Sequence, residues 1–200
     1  ISPNNKYAAF GVDTVGRREY TLQFKNLETG ELFPERIKNS TGGAAWATDN
    51  KTVFYTQKNS TTLRSEKIFR HILGTEPSLD VEVFYENEEA FSTYVYRTKS
   101  DKYLIIGSHS SVSTEYRILE ADNPTGNFRV FQTRERDLEY NIAHYNHNFY
   151  VLTNKDNATN FKLMKTSSKE TSKENWKDVI PHRADVLLED ISIFKDFLVV

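Results

Sequence analysis

The sequence contains no cysteine. That excludes a disulfide scaffold, a thiolate zinc site and a cysteine nucleophile. No uninterrupted apolar run approaches the roughly 20 residues of a membrane-spanning helix, and mean hydropathy is −0.64, so no membrane partner is expected. A basic surplus is also missing: 26 Lys and Arg stand against 28 Asp and Glu. Nucleic-acid binders carry a clear positive excess, so no nucleic-acid partner is expected either. The opening residues Ile1-Ser2-Pro3-Asn4-Asn5-Lys6 have neither the basic nor the apolar region of a signal peptide, and no initiator methionine. The sequence reads as a piece of something longer. Absent cysteine suits the cytosol, with the periplasm as the other candidate.

Helical signals are scarce too. Long runs with apolar residues at i, i+3 and i+4 are hard to find, and there is one methionine. What is present is aromatic and alternating. Tyr, Phe and Trp make up 13% of the 200 residues, a composition that suits strands. Alternation is plain in Lys67-Ile68-Phe69-Arg70-His71-Ile72-Leu73 and in Phe128-Arg129-Val130-Phe131-Gln132.

A repeat organises these runs. A short polar turn precedes an apolar run at Lys6, Lys51, Lys102, Asn148 and Asp196, giving a period of 45 to 51 residues. Each period carries four strand-like runs, a to d. The a runs are Ala45 to Ala47, Thr93 to Tyr96, Asn141 to His144 and Ile191 to Phe194. The b runs begin at Tyr7, Thr52, Tyr103, Phe149 and Phe197. The c runs are Tyr20 to Leu27, Lys67 to Leu73, Glu115 to Glu120 and Phe161 to Lys165. The d runs are Leu32 to Ile37, Val81 to Tyr85, Phe128 to Gln132 and Trp176 to Ile180. Asn, Asp, Ser and Lys in the a–b turns are hairpin chemistry. Four antiparallel strands at nearly constant period predict an all-β β-propeller. The expected blades are about 1–42, 43–91, 92–139 and 140–190, with a further blade begun at 191–200. The surplus b run at Phe197 to Val200 points to an arc of a larger ring. Its open blade edges are expected to promote self-association.

No catalytic centre is expected in the chain. A nucleophile elbow needs Gly-x-Ser-x-Gly on a strand-to-helix turn. The nearest string, Gly107-Ser108-His109-Ser110-Ser111, puts histidine at the nucleophile position and is expected in a b–c loop. Of the five histidines only His144 and His147 are close in sequence, flanking one tight turn. No His-Glu-x-x-His string or EF-hand loop is present, so neither a metal nor a cofactor is expected. Three Asn-x-Ser/Thr strings, at Asn39, Asn59 and Asn157, carry little weight in an Asn- and Thr-rich chain. In a propeller the b–c and d–a loops share one face. Here they hold Arg17, Arg18, Glu19, Arg134, Glu135, Arg136 and Arg183. Such mixed charge can stand as a solvated loop rim or form ion pairs with a partner domain. Ser167 to Glu174, on the opposite face, reads as a lysine-rich flexible insertion.

The stretch Arg17-Arg18-Glu19-Tyr20-Thr21-Leu22-Gln23-Phe24-Lys25-Asn26-Leu27-Glu28-Thr29-Gly30 resembles the propeller of oligopeptidase B, in the prolyl oligopeptidase family. So do Ile68 to Thr75, Thr114 to Ala121, Glu139-Tyr140 with His144-Tyr145, and Thr159 to Met164. The resemblance runs in order along essentially the whole chain. It implies a seven-bladed ring, of which about four four-stranded blades are present. It further implies an α/β-hydrolase domain in the same polypeptide, holding a Ser-Asp-His triad, as the partner. The parent would be a serine endopeptidase that cuts short peptides after basic residues while the propeller restricts access. This chain alone would be inactive. The other reading of the repeat is a free-standing propeller that binds a protein or peptide.

Overall fold

The computed structural model describes residues 1–200. It is built from sixteen strands, with three single-turn 3-10 segments in connections. No helix is long and apolar enough to cross a membrane. The first sheet orders β1 (Tyr7–Val12), β2 (Tyr20–Asn26), β3 (Ile37–Trp46), β4 (Thr52–Lys58), β5 (Ser65–Ile72) and β6 (Val81–Tyr85). The second holds β7 (Ser92–Arg97), β8 (Tyr103–His109), β9 (Thr114–Glu120) and β10 (Arg129–Gln132). The third holds β11 (Tyr140–Tyr145), β12 (Asn148–Thr153), β13 (Lys162–Ser167) and β14 (Lys177–Ile180). β15 (Ser192–Ile193) and β16 (Leu198–Val199) form a short ribbon. Every pairing is antiparallel between strands consecutive in sequence.

Turn chemistry explains the hairpins. Asn5, Asn50, Asp101 and Asn146 all adopt φ near +60° in the turns that precede β1, β4, β8 and β12. Asn and Asp tolerate this left-handed conformation because their short side chains bond locally. Asp49 shows the bonding: its Oδ1 accepts the backbone N–H groups of Lys51 and Thr52.

Packing follows from the two-residue period of a strand. On β8, Leu104 and Ile106 turn to a core shared with Phe54, Ile68 and Ala45 of the first sheet. Ile105 turns the other way, to Tyr140, Phe149 and Val151 of the third. On β4, Phe54 enters the first of these cores while Val53 and Tyr55 join Leu22, Phe24 and Trp46. On β12, Leu152 leaves the shared core for Leu163 and Ile191. Each central strand therefore buries both faces, and sheets stack face to face. Each fully buried Leu, Ile or Phe contributes about 1.5–3 kcal/mol.

Three sequence expectations change. The run Leu32 to Ile37 is not one strand. Leu32 makes only an isolated bridge to Lys25, because Pro34 lacks the N–H a ladder needs. Instead β3 runs on from Ile37 to Trp46 and pairs with β2 through Ile37 and Ser40, then with β4 through Ala44 to Trp46. The division expected at 42–43 thus falls inside a strand, and the first six strands are one sheet. Gly42 makes the bend possible, with φ +84° and a Tyr20 ring carbon 2.8 Å from where its Cβ would stand. Second, Gly107, Ser108 and His109 belong to β8 and not to a loop. A Cβ on Gly107 would come within 2.5 Å of the Tyr94 ring, so the glycine serves close packing.

Third, Ser167 to Glu174 is no flexible insertion. It is a strap laid along β10. Thr171 is buried and its Oγ1 donates to the Phe131 carbonyl at 2.7 Å. The Lys173 N–H donates to Gln132 Oε1 at 2.7 Å, and Trp176 Nε1 donates to the Thr171 carbonyl at 2.8 Å.

Candidate interdomain face

The strands place two sets of connections at opposite ends of the sheets. One end gathers the tight turns before β4, β8 and β12. The other gathers the loops after β1, β4, β8 and β12 and the links between sheets. This second end holds all seven charged residues singled out from sequence, and the structure divides them.

Arg134 is spent on internal ties. Its guanidinium reaches Glu86 at 2.6 Å, Glu88 at 3.2 Å and Glu115 at 3.4 Å. It also lies 3.9 Å from the centroid of the Phe91 ring. Glu86 and Glu115 are buried. Burial, the largest single influence, pushes the Glu86 carboxyl up, but the hydrogen bonds it accepts, led by that from Arg134, together with the Arg134 charge hold it below the usual carboxylate range. Arg64 completes the arrangement, donating to the carbonyls of Glu86 at 3.0 Å and Phe91 at 2.9 Å. The hub joins the first sheet to the second. Glu135 is likewise engaged, by Lys173 Nζ and by Gln132 Nε2, and this tie joins the second sheet to the third.

The other five stay at the surface. Asp13 organises their first loop by accepting the N–H groups of Val15, Gly16 and Arg18. Those backbone bonds, led by that of Val15, lower its pKa. Arg17 and Arg18 are exposed in this loop and Glu19 is half-buried, and the Arg18 carbonyl accepts Lys58 Nζ at 2.6 Å. Arg136 is 89% exposed, with only Asp137 at 3.8 Å. Arg183 pairs locally with Asp185 at 2.7 Å, and both are exposed.

Beside the β8–β9 loop at this end is a cavity of about 330 Å³ lined by Tyr94, Tyr116, Tyr140, Phe161 and Glu139. Tyr116 donates to Asn141 Oδ1 at 2.8 Å, and its hydroxyl lies 3.2 Å from that of Tyr94. Burial raises the pKa of both phenols, which stay neutral. The string around Ser108 forms no nucleophile–base pair. Ser108 is fully buried, and the His109 ring packs on Tyr94 with centroids 5.6 Å apart.

His144 and His147 do not converge on a metal. No group of three or more His, Asp or Glu is arranged to hold one. His144 is buried against Tyr103 and Phe149, with Nδ1 2.8 Å from Ser100 Oγ. Burial, helped by the nearby charges of His147 and Lys102, lowers its pKa from 6.5 to about 4. Between those values the unfolded chain binds a proton that the folded chain refuses, so stability falls as pH drops from 6.5 toward 4. His144→Phe is expected to flatten this slope. Urea unfolding at pH 7 and pH 5 checks it; an unchanged slope would assign the loss elsewhere.

Sequence reading missed one buried cluster. His71 Nδ1 lies 2.7 Å from Asp80, whose second oxygen accepts the Tyr55 hydroxyl at 2.9 Å, and Glu35 stands 3.8 Å from Nε2. These residues come from four separate segments. Only the placement of charge inside apolar runs hinted at them.

A profile described as "Prolyl oligopeptidase, N-terminal beta-propeller domain" matches residues 1–200. The chain belongs to that family. Among curated relatives, it is 40% identical over 200 residues to "Dipeptidyl aminopeptidase BI" of Pseudoxanthomonas mexicana, covering all of this chain and 28% of the relative. "Protease 2" of Moraxella lacunata is 26% identical over 187 residues, covering 92% of this chain and 26% of the relative. Among solved structures, oligopeptidase B from Leishmania major matches with a TM-score of 0.90 and 28% identity, over 98% of this chain and 28% of that one. Oligopeptidase B from Trypanosoma brucei matches at 0.87 and 26% identity, over 98% and 28%. The propeller domain thus spans under a third of the length of the relatives it matches.

Proposed function

We propose that this propeller domain is the gating and scaffold part of an oligopeptidase B-like serine endopeptidase that cleaves short peptides after basic residues. The observation that carries the reading is the likeness to oligopeptidase B over nearly the whole chain, at a TM-score of 0.90. Its chemistry resides in an α/β-hydrolase domain of the same polypeptide, with the Ser-Asp-His triad there. The ties at Arg134 and Glu135 support a gating role. They hold neighbouring sheets in register, the rigidity that a gate built from those sheets needs. Arg17, Arg18, Glu19 and Arg136, with Arg183 in its exposed local pair with Asp185, are the surface charges that would meet the hydrolase domain. Ion pairs across such an interface bias closed against open states.

Two measurements test this. The isolated chain should neither hydrolyse an arginyl amide above buffer nor react with a serine-directed phosphonate. Stoichiometric labelling of any serine within residues 1–200 would refute the assignment. In the full-length parent, Arg17→Ala, Arg18→Ala and Arg136→Ala combined should reduce the closed fraction seen by small-angle scattering. Activity on a short peptide should fall by roughly 3- to 10-fold, the weight of a few rim charges.

A further inference from the structure

The end of the sheets opposite the charged loops has its own cavity, of about 670 Å³. That is within the range of ligand sites. Three connections build it. The β7–β8 turn supplies Lys99 and Lys102, β11 and its turn supply His144 and Tyr145, and the β15–β16 turn supplies Phe194 and Lys195. The only charged side chains in its wall are the three lysines; no carboxylate lines it. None of the three has a carboxylate within ion-pair distance. Asp101, between Lys99 and Lys102 in sequence, is taken by Arg97 at 2.9 Å. Asp190 lines an adjoining cleft that shares Lys99 and His144.

The wall is held in place without the lysine charges. Tyr145 donates its hydroxyl to the Lys195 carbonyl at 2.6 Å, which fixes the β15–β16 turn against β11. Lys99 Nζ sits 4.6 Å from the centroid of the Phe194 ring and 3.4 Å from Ser192 Oγ. Ser100 bonds His144 at the floor. Three ammonium groups around one concavity repel one another, and no carboxylate of residues 1–200 lies within ion-pair distance of them. Such a concavity is relieved by an anion that carries several charges and accepts several hydrogen bonds. Phe194, 52% exposed, adds an open aromatic surface at the same rim.

We propose that the cavity bounded by Lys99, Lys102 and Lys195 binds an oligophosphate anion, either inorganic or carried by a nucleotide. Three lysines match the charge of a chain of two or three phosphates. The Phe194 ring offers a stacking surface to a nucleotide base. The inference does not depend on the peptidase reading, since the site lies away from the charged loops and is tested on the chain alone.

The test is titration of the full 200-residue chain with inorganic tripolyphosphate and, separately, magnesium-free ATP, at 0.15 M salt. Binding is read by calorimetry and by the NMR signal of the His144 ring. Saturable binding is expected, with Lys102→Ala and Lys195→Ala each weakening it by about fivefold, as loss of one charge-assisted contact implies. Lys38→Ala, at an exposed site on β3, should leave affinity unchanged. Bound anion should also raise the titration midpoint of His144, by reversing the field of Lys102, and Lys102→Ala should reduce that rise. Equal affinity for the two ligands assigns recognition to the phosphate chain; tighter ATP binding assigns a share to Phe194. Absence of saturable binding below 1 mM (about −4 kcal/mol) overturns the proposal. So does binding that the lysine variants leave intact, or that leaves His144 unmoved.

Discussion

Arg134→Ala is expected to destabilise the propeller domain by about 3 kcal/mol, because it leaves the buried Glu86 carboxylate without a cation and takes one of two from Glu115. Glu86 and Glu115 have side chains only 2% and 6% exposed. Glu115 keeps Arg117 at 2.6 Å, but Glu86 has no other charged partner. The Arg134 side chain is 21% exposed, so water enters the gap and places the cost at the lower end of the range for breaking buried pairs. For a chain of this size the melting temperature should fall by about 6–12 °C. Adding Glu86→Gln to Arg134→Ala should restore part of the loss, because a neutral amide tolerates the site without its cation. A loss under about 1 kcal/mol would mean that Arg134 is an ordinary surface arginine. It would then be free to face a partner domain, as its place in a charged loop had suggested.

Trp176→Ala should cost about 3–5 kcal/mol, the usual range for emptying a buried indole site. The ring packs 5.4 Å from Tyr140 and 6.4 Å from Phe131, and its Nε1 is bonded to the strap it terminates. Losing it removes volume from the core between the second and third sheets and also releases the segment from Ser168 to Asn175. Two readouts separate the effects. The denaturant midpoint reports the core. Hydrogen exchange at the Lys173 amide, bonded to Gln132 Oε1, reports the strap. In the native protein that amide should be protected, and in the variant it should exchange with the surface. Lys177→Ala, one residue away and exposed, should stay within about 0.5 kcal/mol of the parent.

These two positions also show what sequence can and cannot disclose here. The strands were legible because their signal is local. A polar turn followed by Tyr103-Leu104-Ile105-Ile106 states both where β8 begins and that it is buried on both faces. The repeat did the rest, since one blade predicted the next. Arg134 was visible as a charge in a loop, but its partner Glu86 lies 48 residues earlier. No local pattern distinguishes a guanidinium that faces solvent from one that closes a gap between sheets. The strap from Ser167 to Trp176 misled for a similar reason. Its Lys and Ser residues are at least partly exposed, while Thr171 and Trp176 are its buried anchors and Lys173 ties it to Gln132 and Glu135. At β3 the strand signal of Ala45-Trp46 is local, but strand continuity across Gly42-Gly43 depends on a close backbone approach. A Cβ on Gly11 would lie 2.3 Å from Gly42 Cα. The cluster of His71, Asp80, Tyr55 and Glu35 leaves only a faint trace in sequence because four segments contribute one residue each. Of the candidate interdomain residues, the structure commits Arg134 and Glu135 to inter-sheet ties and leaves Arg17, Arg18, Glu19, Arg136 and Arg183 at the surface.

Size selection by the full-length parent is the most direct test of the gating role. One basic cleavage sequence should be presented in a peptide of roughly ten residues and again within an unfolded protein of over 100 residues, and kcat/KM compared. The account predicts efficient cleavage of the peptide alone, with the long chain cut at least about tenfold more slowly. It also predicts that Arg134→Ala, by loosening the tie between the first and second sheets, narrows that difference. Equal cleavage of the two substrates by the unaltered parent, or a preference that Arg134→Ala leaves untouched, would contradict it.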